Sequence, residues 1–328
     1  FDVDNMSLNI AGNVQIELGN INFKNGTLTL QQTVSADNAS IVVRDGELIL
    51  QDGLSFSNGN LFLENSVFKP KGSVSLADSG YGLDNSTAEL QGDTTFSRNG
   101  SVDFTVVDLN GNALTLGSNV DNMTLNGALS IGTGESLNSG TSNLSLNSTL
   151  TIDDGGTLSS GSGQVQIGGA LTLDGDLVQG GGILNLISGG TVGTTGELDV
   201  KDSELKLGSA LSFAGTLVVN SGTTWSGLGG TVDLSTGTLE SGGGTFNLDD
   251  FTIGTNSTFR LSGNTEISSA NDLTLGNLEL NGNTLSLEFA SVGDPAFILP
   301  NTLTMDNVSS AIETRGSNLT LENALQLN

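Results

Sequence analysis

A period of about 20 residues constrains this chain more than any other feature. Asn5, Asn25, Asp45, Asn65 and Asn85 recur at that spacing, each just ahead of a hydrophobic pair or its reduced form. The pairs are Leu8/Ile10, Leu28/Leu30, Leu48/Leu50, then a lone Phe68, then Ala88/Leu90. Two further columns keep step: Val14, Val34, Leu54, Val74, Thr94, and Ile21, Ile41, Leu61, Tyr81 with Val102 one place late. Three alternating apolar segments per repeat, separated by turn residues, predict a coil with three strand sides. A single coil cannot bury its apolar side. Stacking the next one about 4.8 Å above closes a core and pairs the backbone. The predicted fold is all-β, a right-handed parallel β-helix (solenoid) with coils of about 20–21 residues. Asn and Asp tolerate a left-handed corner, and stacked amides can pass hydrogen bonds from coil to coil. The five residues are therefore expected to form a structural ladder with inward amides.

Between residues 91 and 120 the register loosens. Val102, Phe104 and Val106 read as one longer strand, and Asn110-Gly111-Asn112 as a strong turn. A second block with a period near 21 begins at Asp121. Met123/Leu125 is followed by Leu144/Leu146 and Val165/Ile167, Leu129/Ile131 by Leu150/Ile152 and Leu171/Leu173, and Leu137 by Leu158. A phrase recurs in it: Ala128-Leu129-Ser130-Ile131-Gly132, Thr149-Leu150-Thr151-Ile152-Asp153, Ala170-Leu171-Thr172-Leu173-Asp174 and Ala210-Leu211-Ser212-Phe213-Ala214. These phrases resemble the passenger repeats of autotransporters and of filamentous-haemagglutinin-like secreted exoproteins. The resemblance implies a right-handed parallel β-helix outside a Gram-negative cell, in adhesion or biofilm.

Further along, Gly-rich corners fall at 180–182, 189–190, 229–230 and 242–244. Phe246/Leu248, Phe251/Ile253 and Phe259/Leu261 predict a coil filled by stacked aromatics. Gly293-Asp294-Pro295 and Leu299-Pro300-Asn301 predict a loop excursion over 290–301, because Pro cannot donate to a ladder. Residues 1–328 are expected to form one solenoid. Residues 1–10 already read as a repeat and Leu325-Gln326-Leu327 still reads as strand, so an excerpt or the mature part of a longer chain is expected.

Charge and composition exclude several chemistries. The net charge is −27, with 9 basic residues and none between Arg98 and Lys201. Nucleic acid and anionic membrane surfaces both need Lys and Arg, so neither is an expected partner. No apolar run is long enough for membrane insertion. The absence of Cys and His removes disulfides, thiolate zinc sites, Cys nucleophiles and His-based triads. Gly is about twice its usual share at 47 residues, against 3 Pro, which suits short strands joined by tight corners.

The candidate sites each have a plainer reading. Asp153-Asp154 and Asp249-Asp250 could serve as acid–base pairs, but adjacent strand residues point to opposite faces. Asp108-Leu109-Asn110-Gly111-Asn112 has its glycine in the wrong place for a calcium loop and lacks the closing Glu, so it reads as a turn. Asn-x-Ser/Thr sequons at Asn25, Asn85, Asn143, Asn256 and Asn318 follow from composition, and inward amides at Asn25 and Asn85 could carry no glycan. Trp225 and Tyr81 fall near apolar columns and are expected in the core or at a corner. The functional expectation is a structural extracellular rod or filament building block of a cell-surface adhesin or sheath, without catalysis, cofactor or metal. Open coil ends predict end-to-end self-association, and outward residues or a tip would meet host or matrix glycans or surface proteins. The alternative is a carbohydrate-binding β-helix such as a phage tail spike, or a polysaccharide-active enzyme.

Overall fold

The computed structural model describes residues 1–328 except 13, 17–18, 78–79, 228–229, 235, 250, 271, 290–295, 300, 302, 306–308, 315–317, 322–324 and 328. The described residues form short β-strands and no helix, and every strand pairing between them is parallel. The chain divides into two compact units, Phe1–Gly169 and Ala170–Asn328, each a parallel β-solenoid with three faces.

In the first unit, one face stacks Asp2–Asp4, Gly19–Lys24, Ala39–Arg44, Asn60–Glu64 and Gly80–Asp84 in that order. A second stacks Ser7–Ile10, Thr27–Leu30, Glu47–Leu50, Val67–Lys69, Thr87–Glu89 and Val106–Asp108. The third runs unbroken from Val14–Ile16 to Thr157–Ser160. The columns seen in the sequence are the stacking register. Leu8, Leu28, Leu48, Phe68 and Ala88 are successive partners, as are Ile21, Ile41, Leu61 and Tyr81 and Val14, Val34, Leu54 and Val74. Leu28, Leu48, Phe68, Val34, Val74, Ile41 and Leu61 are fully buried.

One rung departs from the expected column. Val74 lies beside Phe96, and Thr94 lies beside Gly72. The slip is of two residues, so the in–out alternation survives and no side chain changes face. Phe96 brings a ring into the core, edge-on to Tyr81 at 6.2 Å and to Phe104 at 5.6 Å. Thr94 is also buried, and its hydroxyl bonds the carbonyls of Gly92 and Pro70.

The loosened stretch is a seam in two faces. The first face stops at Gly80–Asp84 and a fresh sheet starts with Gly100–Phe104. The second stops at Val106–Asp108 and a fresh one starts with Leu129–Ile131. Past the seam the longer period holds: Met123, Leu144 and Val165 are partners, as are Leu129 and Leu150, and Leu137 and Leu158.

The second unit keeps one face from Asp176–Gln179 to Leu325–Leu327 and changes sheets on the other two. Gly244–Asn247, Thr265–Ser269, Thr284–Phe289 and Ala311–Glu313 form one late sheet; Leu273–Thr274, Ala296–Leu299 and Asn318–Leu321 form the other. Here Leu278 meets Leu303 and Thr284 meets Ala311, so these coils exceed the expected 20–21 residues. Within the predicted 290–301 excursion, Ala296–Leu299 is a strand with Phe297 and Leu299 buried; its Ala-Phe-Ile-Leu alternation suffices to rejoin the core. Residues 290–295 and 300 lie outside the described residues. The expected aromatic filling is also differently arranged. Phe246 and Phe259 are buried, whereas Phe251 is half-buried and crosses Trp225 edge-on at 5.1 Å.

Candidate functional site

Asn5, Asn25, Asp45, Asn65 and Asn85 have φ of 52°, 54°, 52°, 49° and 51°, the left-handed corner conformation that short polar side chains tolerate. All five are exposed, contrary to the expected inward amides. The interior of this corner is taken by the residue that follows each of Asn25, Asp45, Asn65 and Asn85, whereas Met6, after Asn5, is exposed. Gly26 and Gly46 leave no room for a side chain, since a Cβ at Gly46 would meet the Gly26 carbonyl. Ser66 and Ser86 are buried there instead, each accepting a backbone N–H from the coil before. The side chains of Asn25 and Asn85 therefore face solvent, although Ser86 within the second sequon is buried. The ladder itself is partial. Asn65 Nδ2 donates to Asp45 Oδ1 and Asn85 Nδ2 to Asn65 Oδ1, both at 3.4 Å, while Asn25 Nδ2 turns to Asp4 Oδ1 at 3.3 Å.

A second amide run follows the corresponding strands beyond the seam, without the left-handed φ of the first. Asn126 follows the strand Val120–Leu125 and Asn147 follows Asn143–Leu146, as Asn85 follows Gly80–Asp84. Asn147 Nδ2 donates to Asn126 Oδ1 at 2.8 Å. Between the two runs the corner position, after Gly100–Phe104, is Thr105. A hydroxyl too short to bridge amides stands there, and a groove of about 440 Å³ opens, lined by Tyr81, Leu83, Asn85, Asp103, Thr105 and Asn126. Tyr81 forms its inner wall: its hydroxyl donates to the Asp103 carbonyl at 2.9 Å, and the Arg98 guanidinium stacks 4.9 Å from its ring centre. Burial first, and then the Asp103 charge, push the Tyr81 hydroxyl pKa well above its ordinary value.

The remaining candidates resolve into structural parts. Asp153 and Asp154 both lie exposed in a turn after Leu150–Ile152, not on opposite faces of a strand. Asp249 is also in a turn, its carboxylate accepting the Ala270 N–H at 2.7 Å, a bond that lowers its pKa; Asp250 lies outside the described residues. The Asp108–Asn112 loop is a turn that consumes its own ligands. Asp108 Oδ1 accepts the Asn110 N–H, and the amides of Asn110 and Asn112 both reach the Leu90 carbonyl on the coil before. Leu280-Asn281-Gly282-Asn283 repeats it in the second unit, with both amides on the Leu261 carbonyl. Among the described residues no three His, Cys, Asp or Glu side chains stand close enough together to hold a metal ion. Trp225 and Tyr81 are in the apolar columns, beside Leu205 and Leu61.

Two further systems were not read from sequence. Buried corner hydroxyls reach both the carbonyl two residues earlier and one on the coil before: Ser66 to Glu64 and Val43, Ser203 to Lys201 and Gln179. Basic side chains are held between acids of adjacent coils. Lys69 Nζ lies 3.0 Å from Glu47 and 3.4 Å from Glu89, and Arg260 lies 2.8 Å from Glu279 and 3.6 Å from Glu240. The signal for the first was the Asn-Ser step at 65–66 and 85–86; for the second, one base per 20-residue column of acids.

No protein-family profile matches this chain, and no curated protein or solved structure does.

Proposed function

We propose that this chain is a structural segment of a bacterial cell-surface adhesin or sheath, an extracellular rod or filament building block that performs no catalysis. The observation that carries this reading is the use of the outward positions. They are spent on bonds between neighbouring coils, amide to amide at corners of the first unit and base to acid on strands of both, while buried hydroxyls beneath the corners bond carbonyls of the coil before. Such a surface adds stiffness with every coil, because each coil contributes one more interface to a nearest-neighbour stack. The repeat phrases of the autotransporter and filamentous-haemagglutinin type agree with it, and so does the surplus of negative charge, which keeps long polar assemblies apart in solution. End-to-end association of coils and contact with host or matrix glycans or surface proteins belong to the same reading.

Immunogold electron microscopy of cells that make the protein tests it. Label along surface fibres or a surface layer is the expected result; label confined to the cytoplasm overturns it. Release of reducing sugar from acidic polysaccharides by the purified protein would overturn the non-catalytic part alone.

A further inference from the structure

We propose that the groove at Thr105 is a binding site for a neutral, hydroxyl-rich saccharide. Amides stand below the seam at Asn65 and Asn85 and above it at Asn126 and Asn147, each pair joined by a hydrogen bond. Both bonds run the same way, upper amide N–H to lower amide oxygen. The lower run therefore ends in an acceptor, Asn85 Oδ1, with no hydrogen bond to it among the described residues. The upper run begins with a donor, Asn126 Nδ2, in the same condition. Thr105 stands between them and reaches neither, and all three residues line the groove beside the Asp103 carboxylate, Tyr81 and Leu83.

The ligand class follows from what these groups lack. A partner must donate downward and accept from above, and a hydroxyl does both. Asn85 and Asn126 line the same groove with Thr105, so a ligand that meets both needs two hydroxyls, one to donate and one to accept. The groove volume of about 440 Å³ lies within the roughly 300–1,000 Å³ range of ligand pockets. Tyr81, half-buried at the inner wall, supplies apolar surface for the C–H groups of a ring. An anion would meet Asp103 with no Lys or Arg among the lining residues. The proposal stands on this groove and not on where the chain works, so it can fail while the structural role holds, and the reverse.

The test is amide NMR of the intact chain titrated with maltotriose, cellotriose, chitotriose, trigalacturonate and a tetraserine peptide. A neutral saccharide should shift the amides of Gly82, Leu83, Thr105 and Asn126, with dissociation constants of about 1 mM or below. Thr105→Asn should complete the amide column, keep or raise the melting temperature, and weaken saccharide binding at least about tenfold. Asn126→Asp, which replaces the free donor with an acceptor, should do the same without filling the groove. The proposal is overturned if no neutral saccharide shifts these amides, if only the uronate or the peptide does, or if a well-folded Thr105→Asn variant binds as tightly as the parent.

Discussion

At the scale of single residues, the corners decide more than the strands. A buried serine such as Ser203 serves three backbone groups: its hydroxyl reaches the carbonyls of Gln179 and Lys201 and accepts the Gly181 N–H. Truncation leaves buried polar groups with nothing to bond, at a cost of about 1–3 kcal/mol. Ser203→Ala should therefore lower the urea midpoint by that equivalent, while the exposed Ser35→Ala should leave it unmoved. Glu197 gives a prediction of the other sign. Partial desolvation against its neighbours, followed by the charges of Asp176, Asp199 and Glu240, raises its pKa. The folded state thus holds its proton more tightly than the unfolded chain, and stability is lost as pH rises through the window above its ordinary value of 4.5. Glu197→Gln should raise the urea midpoint at pH 7, and the gain should vanish below pH 4.5. Of these roles, the left-handed corner at Asn and Asp was legible, since few residues adopt it. The hydroxyl bonds were not, because Ser and Thr are common here and only burial separates a corner serine from one facing water.

At the scale of elements, the sequence columns gave most of the register, because a side that buries Leu28, Leu48 and Phe68 admits no one-residue shift. Two-residue slips are invisible to that reasoning, which is why Val74 could be matched with Thr94 when its partner is Phe96. The same logic yields a deletion test. Removing residues 46–65 takes out one coil and returns every column to its place, so the shortened chain should keep its all-β circular dichroism and cooperative unfolding. Removing 46–64 leaves one residue too many and puts a whole strand the wrong way out. That variant should be insoluble or lack a cooperative transition. The groove was the least legible part, since it depends on a residue that differs from its column, and Thr105 looks ordinary unless Asn85 and Asn126 are already known to line the same groove.

At the scale of the whole molecule, charge is the dominant long-range quantity. With a net charge of −27, the 36 acidic residues far outnumber the 9 basic ones, and Lys69 and Arg260 are each shared between two acids. Screening weakens repulsion over distances beyond about 10 Å at 0.1 M salt, and close pairs are affected less. Raising sodium chloride from about 0.01 M to about 0.5 M should therefore raise the melting temperature, measured by differential scanning fluorimetry. A falling melting temperature would mean that the ion pairs outweigh the repulsion. The change of period at the seam has a different consequence, for how such a gene can lengthen. Copying one coil in tandem is harmless where its neighbours share its length. Between Asp84 and Val106 a copied coil would meet a neighbour of another length, so a duplication placed there should be tolerated less well than one placed on either side.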